Sequence, residues 1–224
     1  MDKSIEPLPQ AIMNTWKKIL SGTLLFLGLV LSAGVFGQGT PERTTDKILP
    51  IMGDDGLYKQ AWFLDSFLEL RDDLAEAKSE GKRFVIFWEQ KGCPYCKKVH
   101  TVNLAIPEIN RYVAGHFTVL QLNLWGDRQV TDFDGEVLAE KDLARKWGVV
   151  FTPTLHFFVE EHELKAGESG RGQWAATMPG YFRPFHFMRM FEYVYDRHYD
   201  GLHFQKYVTE TAERMRAGGQ EIDM

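Results

Sequence analysis

The sequence predicts an α/β protein, a mixed central sheet flanked by helices, with a helical extension on its N-terminal side. Three observations carry this. The runs "RFVIFW" (83–88) and "FTVLQLNLW" (117–125) are strand-length and apolar, as expected of strands inside a sheet. Segments of helical periodicity, bounded by proline or glycine, lie between and around them. A further run, "TPTLHFFVE", is followed by a turn and by "GRGQWAAT", which reads as an antiparallel return and makes the sheet mixed.

The elements follow in order. After Trp16-Lys17-Lys18 the stretch "ILSGTLLFLGLVLSAGVFGQGT" carries no charge. Residues 1–37 therefore read as a secretory signal peptide, with Val35-Phe36-Gly37 at its cleavage site, or as a signal anchor retained in the membrane. Residues 38–56, rich in Gly, Pro, Thr and Asp, read as a linker. The domain is expected over 57–216, with helical extensions at both ends, and 217–224 as a tail. Leu57 to Lys82 reads as one helix, because Leu57, Ala61, Leu64, Phe67, Leu68, Leu74 and Ala77 recur near helical spacing and Gly81 closes it. The strand 83–88 runs into a helix from Cys93 to about Asn103, and Pro107 opens a second helix to Gly115. After the strand 117–125, "GDRQVTDFDGE" reads as a polar loop or small excursion. Leu138 to Trp147 is a helix stopped by Gly148. Pro184 to about His198 is the last long helix, and 202–216 adds another.

Hydrophobic residues make up 44% of the chain and charged ones 25%, enough for a packed core. The net charge of −5, with no basic block, argues against nucleic acid as a partner.

The chemistry concentrates in "FWEQKGCPYCKKVH", which holds both cysteines of the chain, Cys93 and Cys96. A structural zinc site takes four ligands; His100 follows Cys96 at a workable spacing, but no fourth ligand does. Covalent haem needs His directly after the second cysteine, where Lys97 stands. A disulfide across two residues closes too small a loop to be an effective staple. A redox couple has a positive case. At a strand-to-helix junction the first sulfur lies over free backbone N–H groups and the positive end of the helix dipole, which favour a thiolate. Cys93 is then the attacking sulfur and Cys96, one turn later, the resolving one. Pro94 at an early helical position costs no hydrogen bond. Such chemistry requires no metal and no cofactor. Downstream, Thr152-Pro153 opens a strand; a cis Pro153 would turn the Thr152 backbone toward Cys93, where it could pair with a substrate's extended chain. Pro94, Tyr95 and Thr152 are the expected substrate-binding positions.

Residues 83–198 resemble the thioredoxin superfamily in element order: strand, "CPYC" helix, strand, helix, "TPT" strand, strand, helix. Within them "GCPYCKKVH", "LQLNLWGD", "VTDFDGE" and "LARKWGVVFTPT" resemble SoxW-type periplasmic thioredoxins linked to sulfur oxidation. The resemblance implies a thioredoxin-like fold, Cys93 as nucleophile, Cys96 as resolving thiol and Pro153 as cis-proline. It implies a periplasmic protein, soluble after signal cleavage or tethered to the inner membrane. Its electrons would come from a membrane thiol carrier and pass to the disulfides of exported partner proteins. The chain departs from the pattern in two places. Phe87 stands six residues before Cys93, where many thioredoxins carry a buried acid, and Glu89 is the candidate to replace it. Pro94-Tyr95 stands where many carry Gly-Pro.

Other features read as structural. Asp134-Gly135 in "DFDGE" is a turn. Trp125 and Trp147 are expected in the core, and "YFRPFHFMRMFEYVY" as a helix packed on the sheet, with some of its surplus aromatics available for docking. Two function classes stay open: a thiol–disulfide oxidoreductase, running as reductase, isomerase or oxidase, and a redox-inert binding module of the same fold, against which the intact "CPYC" speaks.

Overall fold

The computed structural model describes residues 46–222; the leader expected at 1–37 and the first residues of the 38–56 linker lie outside them. The sheet is built around β3 (Arg83–Glu89), of which every residue after Arg83 is buried. Its parallel neighbour is β4 (Phe117–Asn123), and on its other side runs β7 (Thr154–Phe158), antiparallel. β8 (Trp174–Pro179) pairs antiparallel with β7, so the sheet is mixed and its order is β4-β3-β7-β8.

Alternation along β3 divides the interior in two. Val85 and Phe87 face one core, filled by α3 (Pro107–His116), α5 (Pro184–Tyr195) and α6 (Phe204–Ala217). Phe84, Ile86 and Trp88 face the other, filled by α1 (Leu70–Ser79) and α4 (Glu140–Trp147). The helix ends follow local chemistry. Proline occupies an early position of α3 and α5, where its missing N–H costs nothing. Gly148 ends α4 at φ 76°, a left-handed conformation that glycine takes without penalty.

Three expectations need correction. The helix expected from Leu57 to Lys82 is confined to Leu70–Ser79. Ahead of it, β1 (Ile51–Met52) and β2 (Tyr58–Lys59) form a small hairpin that begins inside the expected linker, and the chain then runs as an irregular strap. Leu57 and Leu68 are buried as the pattern required, but the backbone bonds go outward: Leu64 N–H donates to Val119 O at 2.9 Å, and Thr131 N–H to Leu68 O at 2.8 Å. Apolar spacing mimicked a helix because the strap presents its side chains singly to separate parts of the domain. Second, the helix expected from Leu138 begins at Glu140, because Val137–Ala139 form β6, which pairs antiparallel with β5 (Gln129–Thr131) as the small excursion over "GDRQVTDFDGE". Third, Trp147 is buried but Trp125 is 69% exposed.

Below the β5–β6 turn, Asp132 is buried and accepts from Gly170 N–H at 2.9 Å, Ser169 and the Trp147 indole, while Lys146 stands 2.8 Å away. Burial raises its pKa, but Lys146 and these donors outweigh burial and hold the carboxyl below its usual range. Among the described residues no helix is long and apolar enough to cross a membrane.

Candidate active site at the end of the central strand

β3 ends at Glu89, and the chain turns through Gly92, at φ 77°, into α2 (Pro94–Lys98), which continues as a π-helical turn over Val99–Asn103. Cys93 is the N-cap of α2. Its sulfur accepts the Cys96 backbone N–H at 3.0 Å, one of the donors a helix start leaves unpaired. The two cysteines form a disulfide, with Cα atoms 5.3 Å apart. Cys93 is the more exposed, 8% against 3% for Cys96, so an incoming group meets Cys93 first.

Facing the pair is the loop before β7. The Thr152–Pro153 peptide is cis, and the Thr152 carbonyl oxygen lies 3.6 Å from Cys93 Sγ. Two bonds hold this loop: Gly180 N–H donates to Pro153 O at 2.7 Å, and the Thr154 hydroxyl to Phe151 O at 3.0 Å. The rim is aromatic and apolar, with Tyr95, Trp125, Val150 and Phe151 all exposed. Trp125 owes its place to an indole N–H bond to Gln90 Oε1 at 2.6 Å, just ahead of the cysteines. Tyr95 stacks on Tyr181 with centroids 6.1 Å apart, and Lys98 Nζ stands over both rings at 5.4 and 5.7 Å. Pro94 is exposed beside Tyr95. All the residues singled out in the sequence, Glu89, Cys93, Pro94, Tyr95, Cys96, Thr152 and Pro153, therefore gather at one end of the sheet.

Beside the disulfide a cavity of about 470 Å³ is lined by Glu89, Cys93 and Cys96 together with Leu57, Tyr58 and Lys97. The two-residue period of β3 puts Glu89 on the same face as Phe87, one pleat nearer the cysteines. It is 1% exposed. Its carboxylate accepts from His100 Nε2, 3.1 and 3.2 Å from its two oxygens, and from Gln121 Nε2. Sequence reasoning weighed His100 only as a zinc ligand, and missed Gln121 and the strap residue Gln60, whose Nε2 lies 3.2 Å from His100 Nδ1. The spacing held a signal for His100: four residues after an inward-facing Cys96, it shares the buried face of the helix. Gln60 arrives from a segment without local pattern and carried none. Among the described residues no group of three or more His, Cys, Asp or Glu is arranged to hold a metal ion.

A family model described as thioredoxin-like domain matches residues 70–195, more than half of the chain. Among solved structures the chain is similar to a thioredoxin-fold protein from Helicobacter pylori, at 20% identity over 60% of this chain and 81% of that one, TM-score 0.43. It is similar to a thioredoxin from Thermus thermophilus at 23% identity over 56% and 83%, TM-score 0.42. The oxidised C-terminal domain of DsbD from Neisseria meningitidis aligns at 13% identity over 58% and 96%, TM-score 0.38. No curated protein matches the chain.

Proposed function

The chain belongs to the thioredoxin-like domain family, and from that premise we propose that it is an exported thiol–disulfide oxidoreductase that reduces disulfides in periplasmic partner proteins. The observation that carries the reading is the Cys93 sulfur: it caps α2, accepts the Cys96 N–H, and is the more exposed of a bonded pair. Reduced, that sulfur would keep the same donor and the helix dipole, both of which favour negative charge on it.

In the proposed cycle the Cys93 thiolate attacks one sulfur of a partner disulfide. A Cys93–partner bond forms, the partner's own S–S bond breaks, and the released thiolate takes a proton from solvent. Cys96 then loses its proton, with Glu89 as the acceptor across the shared cavity, and attacks Cys93 Sγ. The Cys93–Cys96 bond forms and the second partner thiolate leaves and is protonated. Two electrons have moved from this chain to the partner. The Thr152 carbonyl is placed to pair with the partner's backbone beside the reacting sulfur, and Pro94 and Tyr95 bound its docking surface.

The leader pattern at 1–37 and the SoxW-like motifs around "GCPYCKKVH" support the finer reading: periplasmic location, soluble or tethered to the inner membrane, electrons from a membrane thiol carrier, and service to sulfur oxidation. Direction is set by potential, and about 30 mV, or ~1.4 kcal/mol for this two-electron couple, is a tenfold bias. The deciding measurement is the redox state of the pair in cells, with thiols trapped in acid and tagged, in strains with and without the thiol carrier. A reductase is largely reduced with the carrier and oxidised without it. A pair that stays oxidised in both strains, in a protein that rapidly oxidises reduced substrates, would overturn the reductase reading in favour of an oxidase.

A further inference from the structure

We infer that the strap ahead of the matched domain, through Trp62 and Gln60, locks His100 as a neutral imidazole with its proton on Nε2, and that this fixed donor keeps Glu89 the ionised proton acceptor for Cys96. The inference rests on the oxidoreductase reading, and on Glu89 as the acceptor in the resolving step.

The lock follows from which groups donate and which accept. A line of side chains runs from the strap into the interior: Trp62, Asn110 of α3, Gln60, His100, Glu89. Two contacts at its outer end allow one reading only. The Trp62 indole N–H can only donate, and it meets Asn110 Oδ1 at 3.0 Å. The Leu104 carbonyl can only accept, and it takes Asn110 Nδ2 at 2.8 Å. Asn110 is thereby oriented, and its Nδ2 also donates to Gln60 Oε1 at 3.1 Å. Gln60 must then turn its amide nitrogen to His100, and Nδ1 receives it at 3.2 Å. An Nδ1 that accepts carries no proton. The neutral ring's single proton is on Nε2, which points at the Glu89 carboxylate. To take a second proton His100 would set an N–H against the Gln60 amide, and reversing that amide would set it against Asn110.

The far side of Glu89 is fixed in the same way. The Tyr58 carbonyl takes one hydrogen of Gln121 Nε2 at 2.7 Å, which orients that amide with its nitrogen toward Glu89. Both carboxylate oxygens therefore accept, as those of an ionised group do. The other charged and titratable groups facing the pair are few. Cys93 and Cys96 of α2 line the cavity with Glu89, Lys91 and Lys97 stand at its rim, and the Tyr58 ring lies 6.1 Å from His100 beneath Lys97. The imidazole also meets the rings of Phe63 and Phe87. His100 is 0% exposed.

The consequence lies in the second half of the cycle. Glu89 takes the Cys96 proton, through water for which the cavity has room, and later returns it to solvent. His100 takes part in neither transfer. A ring free to protonate would capture that proton and neutralise the acceptor as an ion pair; the strap prevents this. His100 and Gln60 are positioning residues, and the strap segment that carries Gln60 lies outside the 70–195 stretch that the family model matches.

Nitrogen-15 NMR of the full chain, followed from about pH 5 to 8 where an ordinary histidine titrates, reads the tautomer directly. The expected spectrum shows His100 with protonated Nε2 and bare Nδ1 throughout; a protonated Nδ1 at any pH in that range overturns the lock. The kinetic arm uses reduced protein and an aromatic disulfide probe whose thiolate absorbs visible light, so that release by Cys93 and release by Cys96 are timed separately. In His100→Leu the first release is expected to be unchanged. The acid limb of the second moves up by about one pH unit, a tenfold loss at fixed pH on the limb. Gln60→Leu moves it in the same direction, and His100→Gln, which keeps an N–H toward Glu89, restores it. A His100→Leu protein whose second release follows the wild-type profile overturns the inference. Failure of the wild-type chain to give any second release defeats the oxidoreductase reading instead, and leaves the NMR result to judge the lock alone.

Discussion

Replacing His156 by asparagine is expected to change how stability depends on pH, in a direction set by burial. His156 lies on β7 at 3% exposure, its ring stacked on Trp174 with centroids 3.9 Å apart, its Nδ1 accepting the Trp88 indole N–H at 3.2 Å. Burial, with no compensating anion, pushes its pKa from 6.5 down to about 3. The unfolded chain protonates this ring near 6.5 and the folded chain resists until about 3. Its contribution is therefore complete above pH 6.5 and is lost as pH falls below it. At ~1.4 kcal/mol per pH unit the loss between pH 7 and 4.5 is about 3 kcal/mol. Asp73 works in the opposite sense. Burial raises its carboxyl from 3.8 to about 6 despite the Ser66 hydroxyl bonded to it. Its contribution is present at low pH and is lost as pH rises through 6, about 2 kcal/mol over the same interval. In the native protein the two slopes largely offset. Asparagine keeps an acceptor for Trp88 but does not titrate. The assay is urea unfolding by tryptophan fluorescence at several pH values between about 4.5 and 7.5, with Asp73→Asn as the control that removes the opposing slope. The stability of wild type relative to His156→Asn should fall by about 3 kcal/mol across that interval as pH drops. A difference independent of pH would refute the reasoning, since a loss of stacking alone has no pH dependence.

Two further outcomes are expected. Cys96→Ser should accumulate mixed disulfides on Cys93 with protein substrates, visible on non-reducing gels and by mass, because the resolving sulfur is gone; trapping on Cys96 in the reciprocal Cys93→Ser protein, with none in Cys96→Ser, would reverse the assignment. Asp132→Ala leaves the Gly170 N–H without its carboxylate acceptor beside a buried void, while Lys146 keeps Asp134 and Glu136 and the Trp147 indole keeps the Ser169 hydroxyl, and should lower stability by about 1–3 kcal/mol in the same urea assay; no measurable loss would contradict a carboxylate held by these partners.

The parts of the fold that could be read from sequence are those whose patterns are local. "RFVIFW" is a buried strand because no polar side chain interrupts it, and Pro107, Gly148 and Pro184 mark helix ends through their own backbone constraints. The cysteine pair and Thr152-Pro153 could be read because their spacing fits few other chemistries, although 59 positions separate Cys93 from Thr152. The strap could not. Leu57, Leu64 and Leu68 imitate helical spacing, and only the positions of Val119 and Thr131 show where the backbone bonds of Leu64 and Leu68 belong. Trp125 was assigned to the core on its residue type. It is exposed, and its indole is held by Gln90, a pairing across 35 residues that no window of sequence contains.

The strap also governs the order in which the domain can complete itself. β4 is an edge of the sheet, and an uncovered edge is a template for another chain. Here Leu64 N–H occupies the Val119 carbonyl, Arg128 Nη2 occupies that of Gln121 at 3.0 Å, and the Gln121 side chain ties the Tyr58 backbone against the strand. Yet residues 57–68 leave the ribosome, or any export channel, well before Asn110, Val119, Gln121 and Thr131, the groups that seat them. Through that interval the segment has nowhere to dock, because the β4 edge that it covers is not yet made. A chaperone that holds the emerging segment would therefore protect an edge made some fifty residues later. A protein shortened to begin at residue 70 would keep both cysteines and their loop, but would leave the β4 edge uncovered and open to edge-to-edge association.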